Sequence, residues 1–216
     1  MDITYLGHSS FRLKFKSVAL ITDPFDPEMV GISYPKVTAD IVTVSHEHQD
    51  HSRHDLVSEV KKVISGPGEY EIQGVSIIGF STFHDDTNGA ERGENTIYLI
   101  EAEGLRFLHL GDLGHKLSEN LLEEIGEIDV LMVPVGGTFT LDARGAVEVV
   151  QSVGAKVAIP MHYFVSGMNK EAFAGLSPVD DFLSQMGGKV EKTNKLTIKE
   201  GSLPEEEQMV VVLEKK

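Results

Sequence analysis

Residues 45–51 read Ser-His-Glu-His-Gln-Asp-His, so three of the chain's nine histidines and a carboxylate fall together. The run follows directly on an apolar stretch at 40–44 that reads as a strand. In extended chain, side chains two apart point the same way, so His46 and His48 present two imidazoles to one side. Asp50 and His51 fall where the chain turns, and they can point at a second ion close to the first. Imidazole and carboxylate are ordinary ligands for zinc, manganese or iron. There is no cysteine, so a metal would be held by His and Asp/Glu alone, with no thiolate ligand or nucleophile. The rival reading, a solvated polar turn with coincidental histidines, has to accept an unusually dense cluster.

Other residues follow in a telling order. A lone histidine ends a strand at His84 (Thr-Phe-His-Asp-Asp), and Gly111-Asp112 ends another (His-Leu-Gly-Asp-Leu-Gly-His). His162 closes a third, in Ile-Pro-Met-His-Tyr, and upstream lie Gly7-His8-Ser9-Ser10-Phe11 and Thr22-Asp23-Pro24. Taken together, the chain resembles the metallo-β-lactamase superfamily. His46-Glu-His48-Gln-Asp50-His51 matches its His-x-His-x-Asp-His signature. The Gly-His-Ser-Ser-Phe opening resembles its small lactonase-like branch, that of the ascorbate-6-phosphate lactonases. The resemblance covers nearly the whole chain. It implies an α/β (α+β) fold, a four-layer αββα sandwich in a single domain over 1–216, with the site at the rim between two sheets.

By that resemblance His46, His48 and His84 would hold a first metal, Asp50, His51 and His162 a second, and Asp112 would bridge them. The implied cofactors are two divalent transition-metal ions, Zn2+ foremost and Mn2+ or Fe2+ as alternatives. Two such ions sit about 3.5–4 Å apart and can share a hydroxide. Two dications, two aspartates and a hydroxide leave about +1 in the pocket, which favours a small anionic substrate. Asp50, Asp112 and His115 are the candidates for catalytic roles.

Asp23 reads either as the carboxylate that takes the free N–H of a liganding imidazole or as a turn residue before Pro24. His8 and His115 either face the pocket, binding substrate or giving a proton, or are loop residues. His54 reads as a solvated helix residue, and His109 as core or as support for a ligand. Gly136-Gly137 lets backbone approach something closely, either an anion or simply the next turn. Residues 88–93 read as a mobile loop beside His84, whose Arg92 is expected to meet surface acids rather than substrate.

The elements that must position these residues are strand-rich first and alternating later. Strands are expected at 3–6, 11–15, 18–22, 40–44, 63–64, 70–72 and 75–80, with a turn at Gln73-Gly74 and a helix over 53–60 behind Ser52. A hairpin across Glu103-Gly104 joins strands at 96–102 and 106–110. Helices near 117–125, 143–153 and 170–186 alternate with strands at 130–133 and 156–159. Strands at 196–198 and 209–213 close the chain, the last reading as an edge strand or an interface. Such a pattern suggests sheets covered by helices.

Composition narrows the function classes. The formal net charge is -15, with no basic run longer than a pair such as Lys61-Lys62 and no tryptophan, which argues against a nucleic-acid groove. The N-terminus has no basic-then-apolar leader and no apolar run is long enough to span a bilayer, so a cytoplasmic protein without membrane partners is expected. A homo-oligomer is compatible with the apolar C-terminal strand. The expected activity is hydrolysis of an ester, lactone or phosphodiester bond in a small anionic metabolite by a hydroxide held between two metals. The rivals are a nuclease on the same metals and a non-enzymatic metal-binding scaffold.

Overall fold

Strand-forming residues dominate the first half of the computed structural model, which describes residues 1–204 and 208–215. In order come β1 (Asp2–Gly7), β2 (Ser10–Lys14), β3 (Ala19–Thr22), the single turn α1 (Pro27–Val30), β4 (Val37–Thr38), β5 (Ile41–Val44), β6 (Val57–Ser58) and β7 (Lys62–Ser65). Then follow β8 (Gly68–Ile72), β9 (Val75–Phe83), β10 (Glu94–Ala102) and β11 (Leu105–His109). The second half alternates: α2 (Glu119–Ile125), β12 (Val130–Pro134), α3 (Ala143–Val153), β13 (Val157–Met161), α4 (Lys170–Phe173) and α5 (Val179–Met186). β14 (Lys189–Thr193), β15 (Leu196–Thr197) and β16 (Met209–Leu213) complete it.

Two large sheets result, ordered β15-β1-β2-β3-β5-β7 and β14-β16-β13-β12-β11-β10-β9-β8. Each is antiparallel at one side and parallel at the other: β3, β5 and β7 run parallel, as do β11, β12, β13, β16 and β14. Their facing sides share one apolar core, with Ile3, Phe11, Leu13, Leu20 and Ile41 meeting Ile77, Tyr98, Phe107, Met132 and Ile159. Every residue of β12 and β13 is buried, as a parallel strand covered on both faces requires.

Helices cover the outer face of the larger sheet. α3 buries Ala143, Ala146, Val149 and Val150, a helical stripe that packs on Leu131, Val133 and Ala158. Asp142 caps its start by accepting from the Gly145 N–H, and Gly154 ends it in the left-handed conformation. On the outer face of the smaller sheet the fourth layer is thin. Leu6, Ile21, Val42 and Val44 are covered by Tyr34, Val37, Ala39, Val57 and Val60, from the β4–β6 ribbon and its flanking loops.

The helix expected over 53–60 is therefore absent. A short 3-10 turn (His54–Leu56) runs into β6, because Val57 pairs with Val37 and buries itself on the sheet, while Glu59 adopts φ 64°. The helix expected over 170–186 is two helices. Pro178 sets the break, and the chain between them bonds elsewhere, the Ser177 N–H donating to the Gly136 carbonyl. β14 was not expected, being charged and exposed. β16 was expected at an edge or interface. Instead it pairs with β13 on one side and β14 on the other and is buried from Val210 to Leu213. No helix among the described residues is long and apolar enough to cross a membrane.

Candidate metal centre

All the candidate ligands sit just past the C-terminal ends of strands. His46, His48, Asp50 and His51 follow β5, His84 follows β9, Asp112 follows β11 and His162 follows β13. β5 belongs to one sheet, while β11 and β13 belong to the other and run parallel. The carboxyl ends of the parallel strands in both sheets thus open on one rim, the usual place for a site in an open α/β sheet.

There the side chains converge. Ligand atoms of His46, His48 and His84 lie within 4.8 Å of one another, and so do those of His8, Asp50, His51 and His162. Asp112 stands between the groups. Its Oδ2 is 3.1 Å from His84 Nε2, 3.2 Å from His51 Nε2, 3.2 Å from His162 Nε2 and 3.9 Å from His46 Nε2. His51 Nε2, both ring nitrogens of His162 and Asp112 Oδ1 are buried without hydrogen-bond geometry to anything. His51 Nε2 and His162 Nε2 are thus close to the Asp112 carboxylate without being aligned for a hydrogen bond to it. Leaving so many buried polar atoms unpaired is costly, and a divalent cation is the group that fits this donor set.

A hydrogen-bond chain behind the cluster fixes two of the rings. Asp23 is fully buried and can only accept. Its Oδ2 takes the Ser45 hydroxyl at 2.6 Å and His51 Nδ1–H at 2.9 Å, and its Oδ1 takes the Ser45 N–H at 2.8 Å. With its proton given to Asp23, the Ser45 Oγ accepts from His46 Nδ1 at 2.9 Å. Both His46 and His51 therefore carry their proton on Nδ1 and offer Nε2 to the site. Of the two readings of Asp23, the chain of bonds supports the one in which it orients ligands.

Electrostatics reinforce this. Burial works against charge on Asp112, yet the His162 and His51 imidazoles hold its carboxyl well below the usual range. Burial likewise opposes charge on Asp50, but His51 and His8 keep its pKa low. Burial disfavours protonation of His51, but Asp112 and Asp50 overturn that and raise its pKa well above normal. Burial, then His51, pushes His46 down to about 3. Two ionised, buried carboxylates thus draw positive charge to this point: in the chain alone a proton on His51 supplies part of it, and a divalent cation is the group that would take its place.

Asp112 is itself positioned by Asn95, which sequence reading missed. The Asp112 N–H donates to Asn95 Oδ1 at 3.0 Å, while Asn95 Nδ2 donates to Leu110 O at 3.0 Å and Thr82 Oγ1 at 2.8 Å. Asn95 lies at the polar start of β10 between Glu94 and Thr96, so the sequence carried little signal of its role. Gly111, at φ 53°, is required there, since a Cβ would lie 2.4 Å from Asn95 Oδ1.

The remaining histidines divide. His8 joins the cluster: its Nε2 lies 3.2 Å from Asp50 Oδ2 and its ring centroid 4.2 Å from that of His162. His115 does not join it. Its Nε2 accepts the Phe83 N–H at 3.1 Å and its Nδ1 bonds Lys116 O at 2.8 Å, so both nitrogens serve backbone and neither is free for substrate. His109 is core, donating from Nε2 to Ser9 O at 2.9 Å, and His54 is exposed. Gly136 does make a close approach, to the His162 carbonyl, where a Cβ would be 2.2 Å away. Arg92 meets no acid among the described residues and instead lies over the Phe139 ring, 4.7 Å from its centroid.

A cavity of about 410 Å³ opens on this cluster, lined by His48, Asp50, His84, Asp112 and His162 together with Met29, Glu47, Arg92, Phe139 and Phe173. Comparison with known proteins decides the family. Residues 2–162 match the profile described as Beta-lactamase superfamily domain. The chain belongs to the metallo-β-lactamase superfamily. A Thermotoga maritima protein assigned to the Zn-dependent hydrolases of that superfamily is 43% identical over 98% of both chains, with a TM-score of 0.81. Curated relatives named UPF0173 metal-dependent hydrolase include one from Alkaliphilus metalliredigens, 34% identical over 76% of this chain and 85% of its own. Another, from Carboxydothermus hydrogenoformans, is 31% identical over 76% of this chain and 84% of its own. This member of the superfamily is a metal-dependent hydrolase, and its rim cluster of His and Asp is able to hold the metal.

Proposed function

We propose that the protein hydrolyses an ester, lactone or phosphodiester bond in a small anionic molecule, using two divalent metal ions, Zn2+ foremost. The observation that carries this reading is the single carboxylate of Asp112 approached by imidazoles of both groups, His46 and His84 from one, His51 and His162 from the other. His46, His48 and His84 would hold one ion, Asp50, His51 and His162 the other, with Asp112 shared. When bound, such a pair supplies a hydroxide at neutral pH and polarises the oxygen of the bond to be cleaved.

The chain's own residues do the rest. Asp23 and Ser45 hold the Nε2 atoms of His51 and His46 toward the site. His8, beside Asp50 Oδ2, steadies that carboxylate. Met29, Phe139 and Phe173 give the cavity apolar walls that limit water. A cavity of about 410 Å³ suits a metabolite-sized ligand, and the charge of -15 disfavours a long polyanion.

Elemental analysis of protein purified without added metal tests the reading. About two transition-metal ions per chain are expected, fewer in His48→Ala and fewer still in Asp112→Ala. One ion or none, with no uptake of zinc, manganese or iron, would refute the dinuclear site.

A further inference from the structure

We propose that Arg92 selects the substrate: it clamps an anionic oxygen group, carboxylate or phosphate, remote from the bond that is cleaved. This rests on the hydrolase reading above and narrows its substrate class to compact molecules with an apolar body and an anion at the far end.

The argument begins with where the arginines of this chain go. Acids outnumber lysine and arginine by 34 to 19, so a guanidinium finds a carboxylate easily. Arg53 pairs with Asp26 and Asp55, Arg106 with Glu101, and Arg144 with Glu148, while Arg12 donates to the Thr38 carbonyl. Arg92 alone among the five has no hydrogen bond or ion pair from its guanidinium among the described residues. Glu47 lines the same cavity and, with Glu94, a neighbouring groove, but neither pairs with it; Glu47 Oε1 instead accepts from the Ser65 hydroxyl at 3.1 Å. Its guanidinium instead lies over the face of Phe139, 4.7 Å from the ring centroid, and both residues line the cavity of the candidate metal ligands. A guanidinium stacked this way keeps its N–H edge free for a planar anion.

The loop beneath it is built to hold that position. The Asp85 carboxylate accepts Thr87 N–H at 2.9 Å, Thr87 Oγ at 2.8 Å, Gly89 N–H at 2.8 Å, Glu91 N–H at 3.1 Å and Arg92 N–H at 2.8 Å. The next residue, Gly93, accepts from the His84 N–H at 3.0 Å. Arg92 is thus tied through its own backbone to Asp85 and through Gly93 to His84. Its offset from the metal ligands is set by short bonded paths rather than by a loose loop, which lowers the ordering cost of binding. Phe139, Phe173 and Met29 line the same cavity as Arg92 and the candidate ligands, which gives an apolar body walls to lie against.

The test uses metal-loaded protein and calorimetric titration with straight-chain dicarboxylates from succinate to pimelate, each against the monocarboxylate of equal length. One carboxylate can take the metal centre and the second reports on Arg92. At the best length the diacid should bind about three- to fivefold tighter than the monoacid, beyond the statistical factor of having two ends, the gain expected of an exposed ion pair. In Arg92→Gln that surplus should vanish with monoacid affinity unchanged, and Arg92→Lys should keep part of it. Asp85→Asn should also reduce it, because Asp85 positions Arg92. A surplus that survives in Arg92→Gln, or no surplus at any length in the unmodified protein, would overturn the proposal. Metal content of the same samples separates this from the dinuclear reading: a single ion would refute that reading while the diacid surplus still decides Arg92.

Discussion

Replacing Asp23 by Asn should weaken both of the proposed metal sites at once, although Asp23 is not itself one of the proposed metal ligands. The carboxylate receives three donors, Ser45 Oγ and His51 Nδ1 on Oδ2 and the Ser45 N–H on Oδ1. An amide in the same place offers one acceptor oxygen and one NH2, so whichever way it sits a donor faces a donor. The negative charge that steadies a metal-bound imidazole is lost too. Removing such a partner typically costs 10- to 100-fold in metal affinity, about 1.4–2.8 kcal/mol. For His51 the loss is direct. For His46 it arrives through Ser45, so Ser45→Ala should weaken mainly the ion proposed to sit on His46, His48 and His84. Competition with a chelator of known affinity, resolving two binding constants, reads both effects, and far-ultraviolet circular dichroism checks that the variants fold. Wild-type affinity at both sites in Asp23→Asn would refute the reasoning, as would a Ser45→Ala variant that loses both sites equally.

Acid sensitivity should fall when His8 is replaced by Gln. Burial, then His162, lowers the folded pKa of His8 to about 4 from 6.5. Below pH 6.5 the unfolded chain therefore binds a proton that the fold refuses, and stability is lost as pH falls toward the folded value. By pH 5 this amounts to about 2 kcal/mol in metal-free protein, and the Tm difference between pH 7 and pH 5 should shrink in His8→Gln; an unchanged difference would refute it. Gly136→Ala should be destabilising by about 1–3 kcal/mol and should displace His162, because its Cβ would fall 2.2 Å from the His162 carbonyl, which is backbone and cannot swing away. A Tm and metal content equal to wild type would contradict this.

The elements whose pattern is local were legible in the sequence. α3 was bounded correctly because its stripe, its Asp142 cap and its Gly154 stop all lie within one short stretch. The turns at Gln73-Gly74 and Glu103-Gly104 were legible for the same reason, and both non-glycine partners adopt positive φ. What was misread depends on distant partners. Residues 53–60 have helix-like polarity, but Val57 is claimed by Val37 twenty residues upstream. β14 carries no apolar signal of its own and exists because β16 offers an open edge. The site divides in the same way. The 46–51 cluster announces itself, whereas Asn95 is one amide in a strand, and its grip on Asp112 appears only when β10 and β11 are side by side. Arg92 was expected among surface acids on charge count alone; the Phe139 ring that holds it lies 47 positions further along the chain.

Backbone conformation explains why convergence at the rim could not be read from periodicity. Three residues of the cluster and its support, His8 (φ 56°), Asp23 (φ 37°) and His162 (φ 52°), occupy the left-handed region that non-glycine residues avoid. Each follows within a residue of a strand end, where regular pleating would send the next side chain to a sheet face. The left-handed residue turns the chain at that point, so its side chain is aimed along the rim and across the gap between the sheets. Such conformations cost about 1–3 kcal/mol each and persist only when the surroundings fix them. Here they are fixed: the His162 N–H and the Tyr5 hydroxyl both donate to the His8 carbonyl, at 2.9 and 2.8 Å, and the Asp23 N–H donates to Thr43 O at 2.9 Å. The first bond links the end of β1 to the end of β13, the second ties His8 back to Tyr5 of its own strand, and the third links β3 to β5, so the strain at these site residues is carried largely by strands that lie side by side only in the folded chain. The geometry that lets both sheets address one carboxylate is therefore a property of the assembled sandwich, and a segment cut from either sheet would relax out of it.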